Sequence, residues 1–112
     1  MILSDDVKAI FNSMNEGIVI IGLDERIVFG NTAYHNFVSA EAGYDIGPLE
    51  GKLLRELRPG AQLPDIMKMR KTIMHASRRE LADVYFVNMY PVVNGSEVIG
   101  AMSVVTFIDI CH

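Results

Sequence analysis

The chain has 112 residues, half of them hydrophobic and 21% charged, with a formal net charge of -4. A chain of this size and apolar content forms a single domain that buries roughly two-thirds of its unfolded surface, which excludes intrinsic disorder. Residues 1–50 carry eight acids and two bases and residues 51–112 six acids and eight bases, so neither half has the basic stripe with which a nucleic-acid surface neutralises phosphates.

Ser4 followed by Asp5 and Asp6 is a helix start, a hydroxyl to cap free N–H groups and two carboxylates at the positive end of the dipole. Val7, Ile10, Phe11 and Met14 then form one stripe at helical spacing, which makes residues 1–16 an amphipathic N-terminal helix. Residues 17–23 are all apolar or glycine, 23–26 supply a turn, and 26–30 return as a second strand. Asn31 is placed to cap a helix over 32–39 whose apolar face is Ala33, Tyr34, Phe37 and Val38, and 40–48, with two glycines, is a loop. Residues 51–57 read as one or two helical turns stopped by Arg58-Pro59-Gly60. A longer helix is expected over 63–76, with Pro64 in its first turn and Leu63, Ile66, Met67, Arg70, Ile73 and Met74 along one side. A short strand over 79–83, a long one over 84–93, a hairpin signal at Asn94-Gly95 and a last strand over 97–108 complete the pattern.

An antiparallel sheet with one wet face alternates apolar and polar residues, whereas 18–21, 84–87 and 98–105 are largely continuous apolar runs. Both faces of this sheet must be covered. The internal helices cover one; the other needs the N-terminal helix, a partner subunit, or both. Cys111 is the only cysteine, so no disulfide forms within the chain and a reducing compartment is the economical reading. The N-terminus lacks the basic start and apolar core of a signal peptide, and no apolar run approaches the length needed to span a bilayer. The expected location is the cytoplasm, with no membrane contact by this segment.

The order of these features resembles the PAS family of sensory domains over nearly the whole chain. The family's leader helix, the Gly-Ile pair opening the first strand, the aspartate turn and the asparagine ending the second strand match the first helix, Gly17-Ile18, Asp24 and Asn31. A glycine opening a short helix, a proline in a late strand, a turn, Ile-Gly in the last strand and a closing Asp-Ile match Gly51, Pro91, Asn94-Gly95, Ile99-Gly100 and Asp109-Ile110. Cys111 stands where the family usually has threonine, and the link between the central helix and the strand at 84 is short. The run 86–93 looks most like the PAS modules of bacterial histidine kinases and of enhancer-binding transcriptional activators. The resemblance implies an α+β fold: a five-stranded antiparallel sheet with helices packed on one face, a cavity between them, and the N-terminal amphipathic helix ahead of a core spanning 17–110. It also implies that Asp109 and Ile110 mark the junction to a C-terminal output domain, so that the chain is a fragment of a larger signalling protein.

Several side chains invite functional readings. Some members of the family hold haem through a histidine before the long strands, but on a helix over 63–76 His75 falls about 130° from the apolar stripe, which argues against ligation. His35 fails on the same count. Covalent flavin chemistry needs a cysteine in the short central helix, and 51–57 contains none. No catalytic motif is present, which argues against an enzyme. Asn88 sits inside an apolar strand, where a buried amide needs partners and so is expected either to be locally satisfied or to face a small ligand. Tyr34, Tyr85, Tyr90, Ser103 and Met67 are further pocket candidates. Lys68, Arg70, Lys71, Arg78 and Arg79 form a basic cluster best read as a solvated helix face. The resulting expectation is a sensor domain that binds a small molecule and dimerises through Val7, Ile10, Phe11 and Met14. The rival reading is a ligand-free dimerisation and interaction module.

Overall fold

The computed structural model describes residues 1–80 and 83–108, the side chains of 75–80, 83, 84 and 108 excepted. Its elements are α1 (Asp5–Asn12), β1 (Gly17–Gly22), β2 (Ile27–Gly30), α2 (Thr32–Ala42), α3 (Leu54–Leu57), α4 (Leu63–Met69), β3 (Ile73–Glu80), β4 (Asp83–Asn94) and β5 (Glu97–Ile108). The strands form one antiparallel sheet in the order β2-β1-β5-β4-β3, so the first hairpin and the last join at its centre through the β1–β5 pair. This is the five-stranded α+β architecture that the resemblance implies.

The apolar runs pack on both faces of the sheet. From β1, Val19 and Ile21 join the main core with Tyr34 and Val38 of α2, Leu54 of α3 and Leu63, Ile66 and Met67 of α4. Ile18 and Ile20 point the other way, into a smaller cluster with Phe29 and with Leu3 and Phe11 from the N-terminal segment. A bulge between Ile20 and Ile21 makes the β1–β2 register skip Val28, which lets Ile27 face the main core and Phe29 the outer cluster. The leader helix thus covers part of the outer face. Phe11, one of the residues expected at a dimer interface, lies with its ring centroid 6.0 Å from that of Phe29. Ile10 and Met14 remain exposed and Val7 is half-buried.

Caps predicted from residue type are present. The Ser4 hydroxyl accepts from the Val7 N–H, and Asn31 Oδ1 accepts from the Tyr34 N–H. Asn31 does more than cap α2. Oδ1 also accepts from the Ile18 N–H, while Nδ2 donates to the carbonyls of Phe11 and Glu16, at 2.8 Å in all three cases. Its main chain donates to the Ile18 carbonyl and accepts from the His35 N–H. One fully buried residue therefore ties α1, the segment after it, β1 and α2 together. Helix α2 runs three residues beyond its expected end and stops at Gly43, whose φ of 84° is left-handed.

The helix expected over 63–76 is shorter than its apolar period suggested. It ends at Met69 because Arg70 takes a left-handed conformation, φ 54°, and sends its guanidinium to the Ser96 carbonyl at 2.8 Å, in the turn between β4 and β5. The β-branched Thr72 and Ile73 then lead into β3, which pairs with β4 and satisfies the backbone of that strand's other edge. Tertiary hydrogen bonding overrides the helical period here. Three readings change with it: Met74 is 56% exposed and not on a helix stripe, the short strand placed at 79–83 is an eight-residue one, and His75 lies in a strand, so the helical angle assigned to it does not apply. The side chains of His75, Arg78 and Arg79 lie outside the described ones, as do Asp109, Ile110 and Cys111 altogether.

The clamp at Asn31 separates two roles by substitution. Asp is as good an N-cap as Asn, so a pure capping role tolerates Asn31→Asp. A clamp does not, because the new oxygen faces two carbonyls that lose their donor. We expect Asn31→Asp and Asn31→Ala each to lower unfolding free energy by about 3 kcal/mol in urea denaturation. An Asp variant within about 0.5 kcal/mol of the parent would reduce Asn31 to a cap.

Candidate functional site

A cavity of about 280 Å³ lies between the inner face of the sheet and the helices. Val19, Val87, Met89, Ser103 and Val105 form its floor, and Tyr34, Phe37, Leu54, Leu57 and Leu63 its walls. These side chains arrive there by strand alternation: Tyr85, Val87 and Met89 of β4 and Ala101, Ser103 and Val105 of β5 are all buried on this face. The connection between α3 and α4, residues 58–62, forms the rim. Arg58-Pro59-Gly60 stops α3, as its residue types predict, and in doing so delivers a cation to a mostly apolar space.

Among the described residues, three groups hold Arg58 there. Its Nη1 donates to Glu41 Oε2 at 2.7 Å, its Nη2 donates to Tyr85 Oη at 3.1 Å, and its guanidinium carbon lies 4.9 Å from the centre of the Phe37 ring. Phe37 in turn meets Tyr85 edge-on at 5.0 Å and Phe107 at 5.2 Å. Arg58 and Glu41 keep only 18% and 21% of their side-chain surface exposed, so their attraction is screened far less than that of a surface pair. Nearby, Arg55 bridges Glu25 of the first turn and Asp65 of α4, and fastens the lid formed by α3 and α4 to the first hairpin. Among the described residues no buried side-chain nitrogen or oxygen lacks a hydrogen-bond partner, and no group of three or more His, Cys, Asp or Glu could hold a metal ion.

The expected pocket residues divide. Tyr34 and Ser103 line the cavity, and Tyr85 does so beside Arg58. Met67 is buried in the main core without reaching the cavity wall. Asn88 and Tyr90 alternate with Val87 and Met89 and so turn to the opposite face of the sheet, half-buried. Asn88 lies opposite Val104 of β5, whose side chain packs in the outer cluster. Phe37, Glu41 and Arg58 carry the cavity's aromatic and charged features without having been read as a site. The available signal was the arginine at the helix stop itself, close to Leu54, Leu57 and Leu63, a place where a charge either meets solvent or needs a buried partner.

Comparison with known proteins follows the same lines. No family model matches the chain. It is 31% identical over 101 residues to a probable C4-dicarboxylate sensor kinase of Bacillus subtilis (strain 168), an alignment that spans 89% of this chain but 18% of that protein. Among solved structures it superimposes on the PAS domain of Bordetella pertussis BvgS with a TM-score of 0.70 at 13% identity, over 94% of this chain and 85% of that one. The PAS domain of nitrogen regulation protein NR(II) from Vibrio parahaemolyticus gives a TM-score of 0.60 at 17% identity, over 94% of this chain and all of that one. Likeness at such identities concerns the fold.

The pair at the cavity mouth is expected to be coupled. In a double-mutant cycle of Glu41→Gln and Arg58→Gln followed by chemical denaturation, the interaction energy should be about 1 kcal/mol, at the upper end of the range of exposed pairs. A value within error of zero would mean that the two side chains are independent.

Proposed function

We propose that this chain, a domain of the PAS fold, is the sensory input module of a larger signalling protein. A small molecule enters the cavity under α2, α3 and α4, and its occupancy biases an output domain C-terminal to β5. The observation that carries this reading is the cavity itself. It approaches the roughly 300 Å³ at which small-molecule sites begin, is mostly apolar, and has a few convergent polar groups in Tyr34, Tyr85, Ser103 and Arg58. Partial likeness to a sensor kinase supports a kinase as the output, since the matched segment is 18% of that protein and leaves ample length for one. Occupancy transmits a signal only if the ligand binds two arrangements of the domain unequally, and the lid of α3 and α4 with its rim at 58–62 is the element in contact with both ligand and sheet.

Native mass spectrometry of the purified domain tests the reading. The expected result is an added mass of a small metabolite that disappears in Ser103→Leu, which fills part of the cavity floor, while the variant's melting temperature stays within a few degrees of the parent. A domain that carries no added mass and gains no thermal stability from a metabolite panel would favour the ligand-free interaction module.

The reading includes a homodimer. Ile10 on α1 and Met14 just after it are exposed next to an outer sheet face on which Phe86 is 37% exposed, and an isologous contact there would complete the covering that α1 begins. Light scattering at tens of micromolar should give twice the chain mass and revert to the chain mass in Ile10→Asp. A monomer in the parent protein would exclude this interface.

A further inference from the structure

We propose that the cavity takes a small carboxylate and that Glu41 is a built-in occupant of the anion position, which the ligand displaces. The inference rests on the sensory reading above and names the chemical class of its ligand.

A guanidinium that gives up most of its water is costly unless paired. Arg58 is nonetheless brought to the wall of an apolar cavity, with 18% of its side chain exposed. Two of its supports are neutral: the Tyr85 hydroxyl on Nη2 and the face of the Phe37 ring. Tyr85 is 2% exposed and Phe37 is wedged between Tyr85 and Phe107, so neither support depends on Glu41. They hold the guanidinium fork in place whichever carboxylate it meets, and a planar fork suits a carboxylate better than any neutral acceptor.

Glu41 differs from those supports in position. It lies in the last turn of α2, two residues before Gly43, and reaches Nη1 from the rim. A ligand carboxylate that replaces it exchanges one charge-assisted hydrogen bond for another at little net change, and the rest of the ligand buries apolar surface against Val19, Leu54, Val87 and Met89. A neutral ligand leaves the pair closed and gains only the apolar part. A cationic ligand meets Arg58 head-on and gains nothing from it. Release of Glu41 also unhooks the end of α2 from the rim of α3, which converts binding into a change at the lid.

Titration of the domain with hexanoate, benzoate, hexanamide and benzamide, followed by amide NMR shifts, tests this. In the parent protein acid and amide should bind with similar affinity, but only the acids should give shifts centred on residues 41 and 58. Glu41→Gln should tighten the acids about tenfold and leave the amides unchanged, and Arg58→Gln should abolish the acid-specific shifts. Acids that give the same shifts as their amides in the parent protein, which requires no variant to fold, would overturn the anion assignment. Weaker acid binding in Glu41→Gln, or no binding by any of the four, would overturn it too. The sensory reading is judged separately, by the co-purifying mass and the metabolite panel.

Discussion

A single buried amide holds the N-terminal half of this domain together. Asn31 makes six hydrogen bonds through its side chain and main chain, to α1, to the segment after it, to the first residues of β1 and to the first turn of α2. An amide can do this because it offers donors and acceptors from one rigid group, and in a site with no exposure each of those bonds replaces water that cannot enter. Neighbouring Asn12 adds a contact of the same kind, its Oδ1 accepting from the N–H and hydroxyl of Thr32. Because the leader helix is fastened there, Phe11 reaches Phe29 and the outer face of β1 is dry. The continuous apolar strand Gly17–Gly22 would otherwise expose Ile18 and Ile20.

The opposite face has a different solution. There the helices leave a cavity, and the charge at its mouth is stabilised by an ion pair, a phenol and an aromatic face rather than by solvent. Arrangements of this kind are high-stakes, since removing one partner strands another. The same property makes them suited to exchange: a group that replaces one partner atom for atom costs little, and everything else it brings is gain. The cavity and the Asn31 clamp meet at α2, whose N-terminus is held by the clamp and whose C-terminal turn carries Glu41.

Much of the fold was legible because its signals are local. Ser4 and Asn31 are caps by residue type, Asn94-Gly95 marks a hairpin, and a stop at Arg58-Pro59-Gly60 needs no tertiary information. The helix-to-strand change at Arg70 was not legible, because the apolar residues through Met74 keep a helical period and what breaks it is a hydrogen bond to Ser96, 26 residues away. The cavity was half legible. Tyr34 and Ser103 could be named as polar groups in apolar elements, but whether Asn88 or Met89 faced inward depended on the register of β4 against β5, and a strand that is apolar on both faces gives no alternation from which to read it.

The amino-acid sequence by itself determined the order and type of most elements, the need to cover both sides of the sheet, and the resemblance that joined them into one fold, since caps, turns and apolar runs act over a few residues. Tertiary structure decided which side chains share a space. It brought Glu41, Arg58 and Tyr85 together across 44 residues of chain and sent Asn88 to the far side of the sheet, because proximity of that kind is set by strand register and helix docking, to which no short stretch of sequence has access.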